Sequence, residues 1–216
     1  MNDISSTPAL REPAQKRSRE RMQRVMAAAE MLLVTDNPET ITIPRLSLAA
    51  DVPRTAIYPF FPTSQALFAH LTGLHLTGIM ERITAVGERL RNAEVATLVT
   101  AFIDEVSDYY KDHPAAARLI LGGPYSHAEY LARERCNEQI AIFFRELLAQ
   151  RDTPIHLPDS PNIAMHVVEI AFAIIKASYF HTHYISAETR REATVMVLDY
   201  LSLWQARAAR ASSEAN

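Results

Sequence analysis

Five cations, Lys16, Arg17, Arg19, Arg21 and Arg24, crowd a stretch that holds a single acid, Glu20. Ammonium and guanidinium groups at that density suit phosphate oxygens, and the same density also suits the solvated start of a helix. Arg45 and Arg54 follow in a proline-rich region. Glu88, Glu94, Asp104, Glu105 and Asp108 belong to later segments. The formal net charge of -3 therefore hides a positive amino-terminal quarter.

Other chemistries find less support. His166, His181 and His183 invite a metal site, yet no HExxH or clustered carboxylate spacing accompanies them, and residues two apart on a helix diverge. Cys136 is the only cysteine, which excludes an internal disulfide, and its apolar neighbours make it a buried core residue. No GxSxG, glycine-rich phosphate loop or paired-carboxylate motif is present, so catalysis and a cofactor have no positive evidence.

The elements that position these groups are helical. Hydrophobic residues make up 48% and charged residues 22%, as in a soluble globular chain, and no apolar run approaches the ~20 residues that span a bilayer. Met1–Pro13 has no apolar stretch of a signal peptide, so a cytoplasmic location is expected. Met22, Val25, Met26, Ala29, Leu32 and Leu33 recur at helical spacing behind a Ser18 cap, to about Thr35. Thr42 caps a short helix whose buried side is Leu46, Ala49 and Ala50; Asp51 and Val52 turn the chain, and Pro53 starts a third helix.

Thr63 caps a long helix through Leu67, Leu71, Leu74, Ile79, Ile83, Val86 and Leu90. Helices over 95–112 and 115–121 follow, the second stopped by Gly122-Gly123-Pro124. Ser126 and Glu129 have capping-box spacing, Ser160-Pro161 opens a helix to about Tyr179, and Ser186 opens the last one. Sustained period-two alternation is absent, so the expectation is an all-α fold of about nine helices.

A helix, a short capped helix, a tight turn and another short helix form a helix-turn-helix, whose last helix enters the DNA major groove. From about Arg17 to Leu71 the sequence resembles the TetR family of bacterial transcriptional regulators. "RVMAAAEMLL" looks like that family's first helix, "TIPRLSLAADV" its second helix and turn, and "PRTAIYPFFPTSQALF" its recognition helix running into helix four. The resemblance implies an N-terminal helix-turn-helix domain and a larger C-terminal helical domain for ligand binding and dimerisation. It also implies a double-stranded DNA operator, a mostly apolar small-molecule ligand and a homodimer as partners, with no membrane.

Residue by residue, the resemblance assigns DNA contact to Thr42 and Arg45 on helix two and to Arg54, Thr55 and Tyr58 on the reading helix. Arg17 and Arg19 match a basic arm. Four positions depart from the pattern: Asp51 replaces the glycine of the turn, Phe60 a polar residue, and Ser64 a phosphate-holding lysine at the start of helix four. Pro59 has no N–H for the carbonyl of Thr55, so the reading helix should end or distort there. The leading reading is a ligand-released repressor. The alternative is a helical sensor or interaction protein with a decayed reading head.

The expected domains are a flexible arm over 1–15, the helix-turn-helix domain over 16–62, a ligand-binding and dimerisation domain over 63–208 and a frayed tail over 209–216. Candidate ligand contacts are Phe102, Tyr109, Tyr110, Phe143, Phe144, His166, Phe172 and Tyr179, each of which also serves as plain core. Ala193, Val197, Leu201 and Trp204 form an apolar stripe on the last helix that could meet its symmetry mate.

Overall fold

The computed structural model describes residues 11–123 and 126–214, and among these the regular elements are nine α-helices with no strand. They are α1 (Arg11–Thr35), α2 (Ile43–Ala50), α3 (Arg54–Ile57), α4 (Ser64–Arg89), α5 (Val95–Asp112), α6 (Pro114–Ile120), α7 (His127–Ala149), α8 (Ile163–Thr182) and α9 (Ala187–Glu214). The first helix begins at Arg11 instead of the Ser18 cap. Glu12, Ala14, Gln15 and Lys16 are good helix formers, and Pro13 lies in the first turn, where its missing N–H is not needed. Residues 1–10 of the expected arm lie outside the described residues, whereas 11–15 are helical. At the other end α9 continues through Glu214 on an alanine- and arginine-rich sequence, with 215–216 of the expected tail outside the described residues.

The chain divides into two compact units, one ending at Leu71 and one starting at Thr72. The division falls within α4, later than the expected boundary at 62/63, because Leu67, Phe68 and Leu71 of its first turns are buried in the first unit. Around them are Val25, Ala29 and Leu33 of α1, Ile43 and Leu46 of α2, and Ile57 of α3, all 5% exposed or less. Ile43, not the exposed Ala49, completes the buried side of α2, since a helix starting at Ile43 turns 43, 46 and 50 inward together. A short 3-10 turn over Pro38–Thr40 joins α1 to α2, with the Asn37 carboxamide accepting from the N–H of Glu39.

In the second unit α9 packs on α5 and α8, α8 on α7, and α6 on α5. Leu74 is half-exposed; Leu76, Ile79, Ile83 and Val86 form the buried side of α4. Gly87 is required where α4 meets α7, because a Cβ there would lie 2.7 Å from the Phe143 ring. Ser126 caps α7 through the N–H of Glu129, and Ser186 caps α9 through that of Thr189, both as their spacing predicts. The cap of α8 is Asn162, whose carboxamide accepts from Met165, and the Ser160–Pro161 bond before it is cis. Arg190 ties α9 to α5 through Asp108 at 2.7 Å and Asp104 at 3.4 Å.

Candidate DNA-reading head and ligand cavity

Asp51 sets the geometry of the head. Its backbone is left-handed, at φ 49° and ψ 51°, and ends α2 where glycine would be free of strain. Ser47 holds this turn from both sides: its hydroxyl donates to the Val52 carbonyl at 2.7 Å, and its carbonyl accepts the Val52 N–H at 3.1 Å. Pro53 is extended and precedes α3 as its cap residue instead of forming its first turn. Helical geometry then lasts for Arg54–Ile57 only, and the N–H groups of Phe60 and Phe61 both turn back to the Ile57 carbonyl. Pro59 thus truncates the reading helix, as its missing N–H predicts.

The short helix buries Ile57 and leaves Arg54, Thr55 and Tyr58 exposed, with no described ion pair on Arg54. Arg17 and Arg19 are exposed on α1, and Thr42 is exposed before α2. Thr42 occupies the expected cap position, but its hydroxyl makes no capping bond. Two candidates depart from expectation. Arg45 is engaged within the head, with its guanidinium 2.5 Å from Asp36 and 3.4 Å from the Thr40 hydroxyl, so it braces the α1–α2 connection. Ser64 is buried, 8% exposed, beside Gln65, because Thr63 holds the capping position and its Oγ1 accepts from Ala66. Phe60 is about half-exposed, at 53%, and borders an apolar groove with Met22 and Met26 of α1.

The second unit holds a partly open cavity of about 90 Å³. Leu76, Ile79 and Ile83 of α4, Phe102 and Ile103 of α5, Phe144 of α7 and Phe172 of α8 supply most of its apolar wall. Its polar groups are the Tyr110 hydroxyl, Arg133 and Asn137, and Cys136 also faces it. Burial pushes the Cys136 thiol up to about 11 and raises Tyr110 far above the usual phenol range, so both keep their protons at neutral pH.

Of the candidate ligand contacts, Phe102, Tyr110, Phe144 and Phe172 line the cavity, while Tyr109, Phe143, His166 and Tyr179 do not. Tyr109 instead bonds to His75 Nδ1 at 3.1 Å, Phe143 stacks on Phe102 toward Gly87, and His166 is exposed and bonds to Tyr200 at 2.6 Å. Arg133 and Asn137 were not singled out by the sequence, where two polar residues on a helix of mixed composition carry no distinguishing mark.

The stripe expected at a dimer contact is core. Ala193, Val197 and Leu201 are 0%, 1% and 5% exposed within one protomer, and Trp204 is partly buried. On these last two helices the apolar groups left uncovered include Val195, Met196 and Leu203 of α9 and Ala173, Ala177 and Phe180 of α8; Leu74, Tyr130, Leu131 and Ile142 are exposed on other helices of the unit. Indeed α8 is long and apolar enough, by length and composition alone, to cross a membrane, although only 28% of its most apolar window is buried. Glu169 and Lys176 interrupt it, and its two apolar faces divide between the α7–α9 core and the outside.

The sequence model of the tetracyclin repressor-like C-terminal domain matches residues 95–201, from the start of α5 into α9. The chain belongs to the TetR family. Over 144 residues, 66% of this chain and 68% of the other, it is 28% identical to the nucleoid occlusion factor SlmA of Glaesserella parasuis. A TetR-family transcriptional regulator from Streptomyces coelicolor shares its fold at a TM-score of 0.67 and 17% identity, over 89% of this chain and 83% of that one. The multidrug binding protein EbrR, solved with imidazole, does so at 0.62 and 17%, over 83% and 94%. In this TetR-family chain the cavity walls from α5 to α9 all fall within the matched domain.

Proposed function

We propose that this TetR-family transcriptional regulator is a homodimeric repressor that leaves a palindromic operator when a mostly apolar small molecule enters the cavity of its second unit. The observation that carries the DNA assignment is the exposed set of Arg54 and Thr55 on α3 and Tyr58 directly after it, held by the left-handed turn at Asp51 and free of described ion pairs. Arg54 reads a guanine edge, while Thr42, Tyr58, Arg17 and Arg19 meet the backbone. Ser64 and Arg45 contribute through the fold of the head, so its phosphate contacts are few and its affinity depends strongly on Arg54.

For the ligand, the supporting observation is an apolar cavity with three polar groups at its wall. At about 90 Å³ it is smaller than the roughly 300–1,000 Å³ of typical ligand sites, so a ligand larger than a few heavy atoms must spread the walls. Leu76, Ile79 and Ile83 lie on α4, the helix that starts directly after the reading turn, so spreading shifts the population between two positions of that helix. The dimer forms through the uncovered faces of α8 and α9, spacing two heads for half-sites about 34–36 Å apart.

The test is selection of genomic fragments by the purified protein, followed by shift assays at several salt concentrations. Sequence-specific, salt-sensitive binding supports the repressor. Its absence supports the second reading, a sensor with a decayed head, which the exposed Phe60 and the buried Ser64 favour.

A further inference from the structure

Arg133 is an unusual wall for an apolar cavity. The residue is 9% exposed, yet it carries a guanidinium cation. Its carbon Cζ lies 5.1 Å from the ring centres of both Tyr130 and Phe172, so the cation rests over two aromatic faces. Nη2 donates to Glu134 at 2.9 Å, while Nε is buried and has no acceptor among the described residues. An unmade bond on a buried charged group is costly, and the structure offers no described protein atom to make it.

The surroundings define what would complete the site. Asn137, one turn further along α7, has its amide drawn away to Glu169 at 2.8 Å, so it does not serve Nε. Tyr110 presents a hydroxyl whose proton is retained, a donor for an oxygen lodged in the cavity. Glu134, the sole described ion-pair partner of Arg133, keeps about a third of its side chain in solvent and can swing outward if another carboxylate takes its place. The rest of the wall is aliphatic or aromatic apart from Cys136.

We propose that the cavity takes an apolar monocarboxylate, whose acid group bonds to Arg133 Nε and displaces Glu134 from Nη2 while its hydrocarbon part lies among Ile79, Phe102, Phe144 and Phe172. This assignment rests on the reading of the cavity as the regulatory ligand site and names the class of ligand it accepts. A carboxylate gains charge-assisted bonds to a guanidinium already desolvated by the fold. An alcohol of equal length gains only the apolar contact, and an alkylammonium meets a buried like charge.

The experiment compares octanoate, 1-octanol and octylammonium by calorimetric titration and by thermal shift of the full-length protein, at neutral pH and fixed salt. Octanoate should bind at least tenfold more tightly than octanol, and octylammonium should not bind. In Arg133→Gln the preference for octanoate over octanol should vanish while octanol binding persists. The ligand series on the unaltered protein decides the matter even where that variant folds poorly. Equal binding of octanoate and octanol, preference for octylammonium, an unchanged preference in R133Q or no binding of any of the three each overturns the assignment. Equal binding by all three leaves the cavity a ligand site and removes only the role of Arg133, whereas the repressor reading is decided separately by operator binding in the absence of ligand.

Discussion

Arg54 and Cys136 show how differently two single residues act. Arg54 is exposed on a helix of one turn, so its removal should leave stability within about 0.5 kcal/mol and weaken operator binding by roughly 1–3 kcal/mol. Arg54→Ala, measured by shift assay against operators altered one base at a time, should lose discrimination at one guanine. Arg45→Ala should instead lower the melting temperature, because it unties Asp36. Cys136 keeps its proton up to about pH 11, against an ordinary 9. Between those values the unfolded chain releases a proton that the folded chain retains, so stability is full below pH 9 and falls as pH rises toward 11. Cys136→Ala should flatten that decline in chemical denaturation curves, though the buried Tyr110 phenol adds a slope of the same sign that the variant leaves in place. Thiol-specific labelling of the native protein at pH 8 should be slow and should accelerate on unfolding.

The turn between α2 and α3 is where an element's geometry rests on one backbone conformation. Asp51 sits at φ 49° with its carboxylate fully exposed, 3.8 Å from Arg24. An exposed pair of that length contributes little, while the left-handed conformation costs a non-glycine residue about 1 kcal/mol. Asp51→Gly should therefore stabilise the head by up to about 1 kcal/mol, read as a higher denaturation midpoint with unchanged slope. Pro59 acts at the same scale: it ends α3 after Ile57, leaving Arg54, Thr55 and Tyr58 exposed around a helix of one turn.

For the molecule as a whole, the decisive contrast is between the two sides of α9. Val197 is 1% exposed inside its own protomer, whereas Met196 beside it is 50% exposed. Val197→Ala should cost about 1–3 kcal/mol of stability, and Met196→Glu should leave the melting of the protomer nearly unchanged while dissociating the dimer in sedimentation at micromolar concentration. A dimer that survives Met196→Glu and Phe180→Glu together would place the interface on other surfaces. Operator binding should fall with the dimer, since each head alone holds one half-site.

Local chemistry alone determined much of this chain. Ser126 with Glu129, Ser186 with Thr189 and Thr63 with Ala66 are caps made within one helical turn, so residue types at fixed short spacing sufficed to place α7, α9 and α4. Asp51 and Pro59 were legible for the same reason, because the constraint each imposes lies in its own backbone. Periodicity also showed that α9 has an apolar stripe, but a stripe on one helix does not say which neighbour covers it. Only the packing of α9 on α5 and α8 assigned Ala193, Val197 and Leu201 to the core and left Val195, Met196 and Leu203 outside. The cavity needed the same information: Phe143 and Phe144 are adjacent in sequence, yet only Phe144 lines it, and Arg133 faces it because α4, α5, α7 and α8 converge there. Caps and turns depend on neighbours in the chain; burial and cavity lining depend on contacts between segments far apart in it, which only the tertiary structure brings together.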